Sequence, residues 1–135
     1  MKAVFLDTVY WIARLDPRDQ MRPQVLKAVA NLGRFQGVTT EAVLLETANY
    51  FSRANRVTRQ GVTELIYQVL LHPDFQTIPQ THDWFRAGLA LYGARLDKQY
   101  SLTDCISMLV MRHYGLTDIL THDRHFAQEG FHVLI

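Results

Sequence analysis

Short apolar runs, separated by longer segments of helical character, constrain the fold of this chain more than any other feature of its sequence. The runs are apolar throughout rather than alternating in polarity, which is typical of strands that are buried on both faces. In chain order they are Val4–Leu6, Gly37–Thr40, Phe75–Ile78, Ile119–Thr121 and His132–Ile135. Alternation of such strands with helices predicts the α/β class: a three-layer sandwich whose short, mainly parallel central sheet carries helices on both faces.

The segments between the strands are predicted to be helices from their cap residues and apolar spacing, with proline and glycine as stop signals. The predicted helices are Thr8–Leu15, Arg18–Leu32, Glu41–Ala54, Thr58–Leu71, Thr81–Leu96, and a last one from Ser101 or Thr103 to Tyr114. Asp16-Pro17 and His72-Pro73 end two of them, because the residue before a proline is pushed out of the helical region.

Length and composition indicate an ordinary globular protein. The 135 residues fit one domain, so a single domain over 1–135 is expected. The formal net charge of +1 excludes a grossly basic nucleic-acid binder. The single cysteine, Cys105, cannot form an internal disulfide, and no apolar run approaches the roughly 18 residues of a membrane span. We therefore expect a cytoplasmic protein with no membrane partner.

Four acidic residues stand beside or within apolar segments: Asp7, Glu46, Asp104 and Asp123. A carboxylate next to a core is costly unless it is paired or bound to a cation. The immediate sequence neighbours of Asp7, Glu46 and Asp104 offer no positive charge. Asp7 and Asp123 both follow predicted strands, and ligands of parallel sheets bind beyond the carboxyl ends of the strands. These two side chains are therefore expected to share one site.

Each acid taken alone also has an ordinary explanation. Asp7 can cap a helix, which stabilises by about 1 kcal/mol, and Asp104 can complement a helix dipole, worth roughly 0.3–1 kcal/mol. Asp123 suits a turn, and Glu46 can lie on a solvated helix face. Together the four would repel, by roughly 4 kcal/mol for each pair about 4 Å apart at an effective dielectric constant of about 20. A shared site therefore requires a divalent cation, and carboxylates suit Mg²⁺ or Mn²⁺.

A metal held this way can lower the pKa of a bound water and stabilise charge on a phosphate, which is the chemistry of phosphodiester hydrolysis. At this point the chain resembles a known family. Its segments Val4–Thr8, Val43–Thr47, Ser101–Ile106 and Ile119–Phe126 are similar to the motifs of PIN domains, specifically the small VapC-like ribonuclease toxins of type II toxin–antitoxin pairs. The order and spacing agree over nearly the whole chain, although 56–98 carry no usable signature.

The resemblance implies an Mg²⁺-dependent endoribonuclease that cleaves single-stranded RNA, with Mn²⁺ as the possible alternative ion. Asp7, Asp104 and Glu46 would hold the first metal, and Asp123 would assist it or hold a second. Thr8 and Thr121 would orient the carboxylates or water by hydrogen bonds. The resemblance also implies a cognate antitoxin protein and a homodimer. A housekeeping RNA-processing nuclease of the same fold and a non-catalytic RNA- or protein-binding module stay open as alternatives.

Several basic and aromatic residues are secondary candidates. Arg53, Arg56 and Arg124 are the candidate contacts to RNA phosphates, with an ordinary solvated surface as the alternative for most of the arginines. Tyr10 and Trp11 could stack bases, but packing in the core or at a dimer interface is the expected use of these two side chains. The six histidines form no zinc pattern, and a small buried hydrophobe is the expected role of Cys105.

Overall fold

The computed structural model describes residues 1–135 as five parallel strands and seven helices. The strands are β1 (Lys2–Leu6), β2 (Phe35–Thr40), β3 (Phe75–Ile78), β4 (Asp118–Leu120) and β5 (His132–Val133). They form one sheet in the order β3-β2-β1-β4-β5, in which every neighbouring pair is parallel. The predicted three-layer α/β sandwich with a short parallel sheet is confirmed.

The helices are α1 (Thr8–Leu15), α2 (Arg22–Leu32), α3 (Glu41–Tyr50), α4 (Arg56–Leu71), α5 (His82–Ala94), α6 (Leu102–His113) and α7 (Arg124–Gln128). Helix α1 has the bounds that the sequence predicts, and α3 and α5 end earlier than predicted. The prediction that Thr58 caps the fourth helix is wrong. Asn55 is the cap, because its side-chain oxygen accepts the backbone N–H of Thr58 at 2.8 Å.

Helix α2 begins at Arg22 rather than at Arg18, because two aspartates capture the backbone ahead of it. Asp16 accepts the N–H of Arg18 at 2.9 Å, and Asp19 accepts the N–H of Met21 at 3.1 Å. Such local bonds compete with helix formation and favour turns. The short helix α7 was not predicted at all, because five residues with one buried side chain, Phe126, carry no helical period.

The core lies on both faces of the central strands. Val4, Phe5 and Leu6 of β1 are fully buried, as expected for the middle strand of a covered sheet. Tyr10 and Trp11 of α1 are also buried, so core packing is confirmed for these two side chains, and base stacking and a dimer interface are wrong. The Trp11 ring lies against Phe75 of β3, on the sheet side of α1.

Helices α5 and α6 approach each other closely, and this contact fixes the position of α6. A Cβ atom at Gly88 of α5 would collide with the side chain of Ile106 on α6. Glycine at this position therefore allows α6 to lie close to α5. Asp104 is two residues before Ile106, so this packing also positions one of the four acids.

The strand order places a topological switch point between β1 and β4. The chain runs outward from β1 to β2 and β3, then crosses back to β4 on the other side of β1. Leu6 is paired with Leu120, so the residues that follow them, Asp7 and Thr121, emerge side by side. A crevice for a ligand is expected where the strand connections diverge in this way.

None of the helices has the length and apolar character that crossing a bilayer demands.

Candidate metal centre

The centre of the site is built from the ends of β1 and β4. Asp7 follows β1 and is 5% exposed, and Thr121 follows β4 and is fully buried. The Thr121 hydroxyl donates to Oδ2 of Asp7 at 2.9 Å, and its oxygen accepts the backbone N–H of Asp123 at 3.1 Å. The Thr121 hydroxyl thus fixes the orientation of the Asp7 carboxyl group and the position of the Asp123 backbone.

The Asp7 carboxyl has an unusual proton affinity. Burial raises its pKa from 3.8 to about 7, and the negative charges of Asp104 and, to a smaller extent, Glu46 act in the same direction. The hydrogen bonds from the backbone N–H of Thr8 and from Thr121 lower the pKa without compensating for this. A nearby cation would lower the pKa of this buried carboxyl group, because a cation stabilises the charged form.

Asp104 enters the site from the first turn of α6. It forms a capping box with Ser101: the Asp104 N–H donates to Ser101 Oγ at 3.0 Å, and the Ser101 N–H donates to Asp104 Oδ2 at 3.2 Å. Burial and the charge of Asp123 raise the pKa of Asp104. The carboxyl group of Asp104 therefore has two roles: it stabilises the start of α6, as the sequence allowed, and it also lies among the acids of the site.

Glu46 reaches the site from α3. The Thr8 hydroxyl at the start of α1 donates to Oε1 of Glu46, which ties the two helices together at the carboxyl edge of the sheet. Glu46 is half-buried, while its neighbour Leu45 is 65% exposed. The side chain of Glu46 is thus directed towards the acids rather than outward with Leu45.

Asp123 caps α7, and a histidine lies between it and Asp104. Oδ1 of Asp123 accepts the backbone N–H of His125 at 2.9 Å. The ring Nδ1 of His125 is 3.1 Å from that oxygen and 3.5 Å from Oδ2 of Asp104. Sequence reasoning missed His125. The available signal was an Asp-x-His pattern at a helix start, which turns the histidine back towards its own cap.

The structure therefore brings all four predicted acids to one cleft, which we call the acidic cleft (Asp7, Glu46, Asp104 and Asp123). The tightest group is Asp104, Asp123 and His125, whose potential ligand atoms all lie within 4.8 Å of one another. No lysine or arginine forms an ion pair with any of the four acids. Buried and half-buried carboxylate oxygens without a lysine or arginine partner are a donor set that fits a hard divalent cation.

Comparison with known proteins identifies the family. The family model of the PIN domain matches residues 4–131. The chain belongs to the PIN domain family.

Its fold is similar to that of VapC20 of Mycobacterium tuberculosis, a toxin that cleaves the sarcin–ricin loop, with a TM-score of 0.83, 22% identity and 96% of each chain covered. It is also similar to FitAcB of Neisseria gonorrhoeae, with a TM-score of 0.68, 18% identity and coverage of 98% of this chain and 96% of the other. No curated protein matches significantly. The predicted PIN domain is confirmed by the family model, and the predicted likeness to VapC toxins is confirmed for the fold.

The candidate RNA-contacting arginines of this PIN domain are all exposed, and none is in an ion pair. Arg53 lies in the turn after α3, and Arg56 and Arg59 lie in the first turns of α4, where they line a polar groove of about 510 Å³. Arg124 directly follows Asp123 at the start of α7. Because α4 returns the chain to the start of β3, its first turns lie towards the carboxyl edge of the sheet.

Proposed function

We propose that this PIN domain is a metal-dependent endoribonuclease that cleaves single-stranded regions of RNA. The observation that carries the proposal is the acidic cleft itself: four carboxyl groups meet at a switch point with no lysine or arginine partner. The raised pKa of Asp7, about 7, measures how poorly the site tolerates its own negative charge. Perturbed acids of this kind are typical of functional sites.

Mg²⁺ is the proposed ion, with Mn²⁺ as the alternative, and Asp7, Glu46, Asp104 and Asp123 are its proposed ligands. When bound, such an ion lowers the pKa of a water and stabilises the charge that develops on the phosphate. The protein orients the carboxylates and holds them in position. The hydroxyl of Thr8 fixes Glu46 and that of Thr121 fixes Asp7, so both carboxylates are in place before any ion arrives.

The substrate is proposed to be bound along the exposed arginines. Arg53, Arg56 and Arg124 would contact phosphates on either side of the cleaved bond. They are suited to this because each is exposed and none is neutralised by a carboxylate. Phosphate contacts supply affinity without reading sequence, so they do not define the RNA target.

The protein is further proposed to be the toxin of a toxin–antitoxin pair that works in the cytosol. The fold likeness to VapC20 supports this, and so does an apolar groove of about 600 Å³ beside the acidic cleft. The groove is formed by α3, α4, α5 and α6, and Leu45, Leu70 and Phe85 in it are exposed. The proposed occupant is an apolar segment of the antitoxin that ends in a basic side chain, since Leu45 and Thr103 in the groove directly precede Glu46 and Asp104.

A homodimer is proposed along α5. Phe85, Leu89 and Tyr92 are exposed at helical spacing on this helix, and Leu96 follows just beyond its end with 80% exposure. A continuous apolar stripe of this kind is typical of an interaction surface. Leu89→Glu is expected to convert a dimer into a monomer in sedimentation equilibrium, whereas Leu26→Glu on exposed α2 should not. A parent protein that sediments as a monomer would contradict the dimer.

The central test is cleavage of total cellular RNA, with mapping of the new 5′ ends, by the parent protein and by Asp7→Asn in Mg²⁺. The parent is expected to cut at defined sites, and Asp7→Asn is expected to be inactive while remaining folded. Asp118→Asn is the matched control, because Asp118 is also 5% exposed but lies at the opposite edge of the sheet, paired with Lys2. Cleavage by Asp7→Asn at the parental rate would overturn the proposal. Metal and RNA binding without cleavage by the parent would favour a non-catalytic module.

A further inference from the structure

His125 is the polar side chain of the acidic cleft for which the proposed function has no use. It lies in the first turn of α7, and its side chain is 27% exposed. The Nδ1 atom itself is completely enclosed and makes no well-aligned hydrogen bond, although two carboxylate oxygens lie within ion-pair distance of it. A buried nitrogen without a well-aligned hydrogen bond is unusual, because buried polar groups are costly unless they are satisfied.

The distances around this nitrogen match those between ligands of one metal ion. Nδ1 is 3.1 Å from Asp123 Oδ1 and 3.5 Å from Asp104 Oδ2, and the three ligand atoms lie within 4.8 Å of one another. In an octahedral site with bonds of about 2.1 Å, neighbouring ligand atoms are roughly 3.0 Å apart and opposite ones roughly 4.2 Å. One ion can therefore contact all three side chains after only small movements.

The two carboxylates of this trio are already held in place by backbone groups. Asp123 Oδ1 accepts the N–H of His125 at 2.9 Å, and Asp104 Oδ2 accepts the N–H of Ser101 at 3.2 Å. These bonds set the carboxyl orientations at the starts of α7 and α6. Each of these oxygens keeps a second lone pair, which is available to an ion.

The imidazole ring is supported from behind by a charged cluster. The Tyr100 ring packs against it with centroids 5.2 Å apart, and the Tyr100 hydroxyl donates to Glu129 at 3.0 Å. Glu129 in turn accepts from Arg95 at 3.1 Å and from Arg112 at 2.9 Å. We call Glu129, Arg95, Arg112 and Tyr100 the Glu129 cluster. It anchors Tyr100 and so limits rotation of the His125 ring, as expected of groups that orient a metal ligand.

We propose that Nδ1 of His125 is a metal ligand together with Asp104 and Asp123, and that this nitrogen makes the acidic cleft prefer a first-row transition-metal ion over Mg²⁺. Imidazole nitrogen binds transition metals well, whereas Mg²⁺ takes oxygen ligands. The inference rests on the proposed metal site, but not on RNA being the substrate. Mg²⁺ can still occupy the oxygen ligands, although it gains nothing from His125.

The experiment measures binding of Co²⁺ and of Mg²⁺ by calorimetry, with the visible absorption of bound Co²⁺ as a second readout. The parent protein is compared with His125→Phe, which keeps a ring against Tyr100, and with His125→Asn, which puts an amide near the position of Nδ1. His122→Asn is the control, because His122 is an exposed histidine next to Asp123. Thermal denaturation without metal checks that each variant is folded.

Co²⁺ affinity is expected to fall at least about tenfold in His125→Phe, the scale on which even supporting residues change metal affinity. Mg²⁺ affinity should change by less than threefold, and the Co²⁺ absorption band should move to longer wavelength. His122→Asn should behave as the parent. Unchanged Co²⁺ binding in both His125 variants would overturn the inference alone. Tighter binding of both ions in His125→Phe would also overturn it, because His125 would then be an internal cation that competes with the metal. If the parent binds neither ion, the proposed metal site itself is wrong.

Discussion

The acidic cleft and the Glu129 cluster both take carboxyl groups out of water, but only the Glu129 cluster supplies them with positive charge. Burial alone would raise the pKa of Glu129, yet Arg95, Arg112 and Tyr100 bring it down to about 2. In the cleft, burial and like charges raise the pKa of Asp7 to about 7. Two sites built from the same kind of group thus have opposite electrostatic balance.

The difference indicates which acids serve the fold and which are available to a ligand. Glu129 joins the ends of α5 and α6 to the end of α7, and its charge is balanced within the chain. No lysine or arginine of the chain balances the charges of the cleft, where the ring of His125 is the basic group that contacts Asp104 and Asp123. Asp118, at the amino edge of the sheet, behaves like Glu129: burial acts to raise its pKa, but Lys2 and His132 lower it.

The largest expected effect is on RNA cleavage, which should depend on the acidic cleft much more than on the Glu129 cluster. Asp104→Asn should reduce RNA cleavage on the order of a thousandfold, which corresponds to about 4 kcal/mol of lost transition-state stabilisation. Glu129→Gln should reduce it less than about tenfold, since one of its two accepting oxygens is retained and Glu129 is not one of the proposed metal ligands. Initial rates on a defined single-stranded RNA measure both. Equal losses in the two folded variants would break the comparison.

The second prediction is that loss of charge changes stability in opposite directions in the two regions. At pH 8, Asp7→Asn should raise the free energy of unfolding by roughly 1–4 kcal/mol, because each unit between its folded and unfolded pKa corresponds to about 1.4 kcal/mol. Glu129→Gln should lower it by about 1–3 kcal/mol, less than for a fully buried pair because both arginines are partly exposed. Urea denaturation without metal provides the measurement. A loss of stability in Asp7→Asn would contradict the claim that this charge is unbalanced.

The third prediction concerns pH. The folded pKa of Asp7 is raised from 3.8 to about 7, so its contribution to stability is fully present below pH 3.8 and is lost as the pH rises through 7. The folded pKa of Glu129 is lowered from 4.5 to about 2, so its contribution is present above pH 4.5 and is lost as the pH falls towards 2. The rise in melting temperature caused by Mg²⁺ should therefore be larger at pH 8 than at pH 6.

The control for this pH effect is Asp7→Asn, in which the difference between pH 6 and pH 8 should shrink. Glu129→Gln should keep the difference, because its titration lies well below this range. A metal effect that is independent of pH in the parent would mean that protons and the ion do not compete at Asp7.

The smallest expected effect concerns the arginines. Arg95 and Arg112 are bound to Glu129, whereas Arg53, Arg56 and Arg124 have no acidic partner. Arg56→Ala should weaken RNA binding a few-fold and reduce the slope of log affinity against log salt by about 0.7, the value for one phosphate contact on a single strand. Arg34→Ala, exposed at the amino edge beside β2, is the matched control. An unchanged salt slope in Arg56→Ala would remove this residue from the RNA surface.

The fold was predictable where the signal is local. The five strands and the first helix follow from apolar runs and stop residues, since burial on both faces of a parallel sheet leaves a continuous apolar signature. Local patterns failed for α7 and for the start of α2, where a five-residue helix has no period and where side-chain hydrogen bonds replace helical ones. They also could not separate core packing from interface packing for Tyr10 and Trp11, because only the folded chain brings Trp11 against Phe75 of β3.

For the candidate site, the sequence predicted which residues lie together better than it predicted which of them contact one another. The four acids and the hydroxyls of Thr8 and Thr121 were expected together, and the structure adds which of them pair: Thr8 with Glu46 and Thr121 with Asp7. The roles of these residues in metal binding and cleavage stay predictions. His125 was missed, because its Asp-x-His pattern indicates a contact with Asp123 but not the contact with Asp104, which depends on the packing of α7 against the start of α6.

The sequence by itself determined the fold class and the acid that follows each of two strands, because apolar spacing and chain breaks act over a few residues. Only the tertiary structure decided which carboxyl groups receive a counter-charge. Thr121 reaches Asp7 across 114 residues of chain, and Arg95 reaches Glu129 across 34. The physical reason is that ion pairing and repulsion depend on distance in space, which the strand order and helix packing set, and not on separation along the chain.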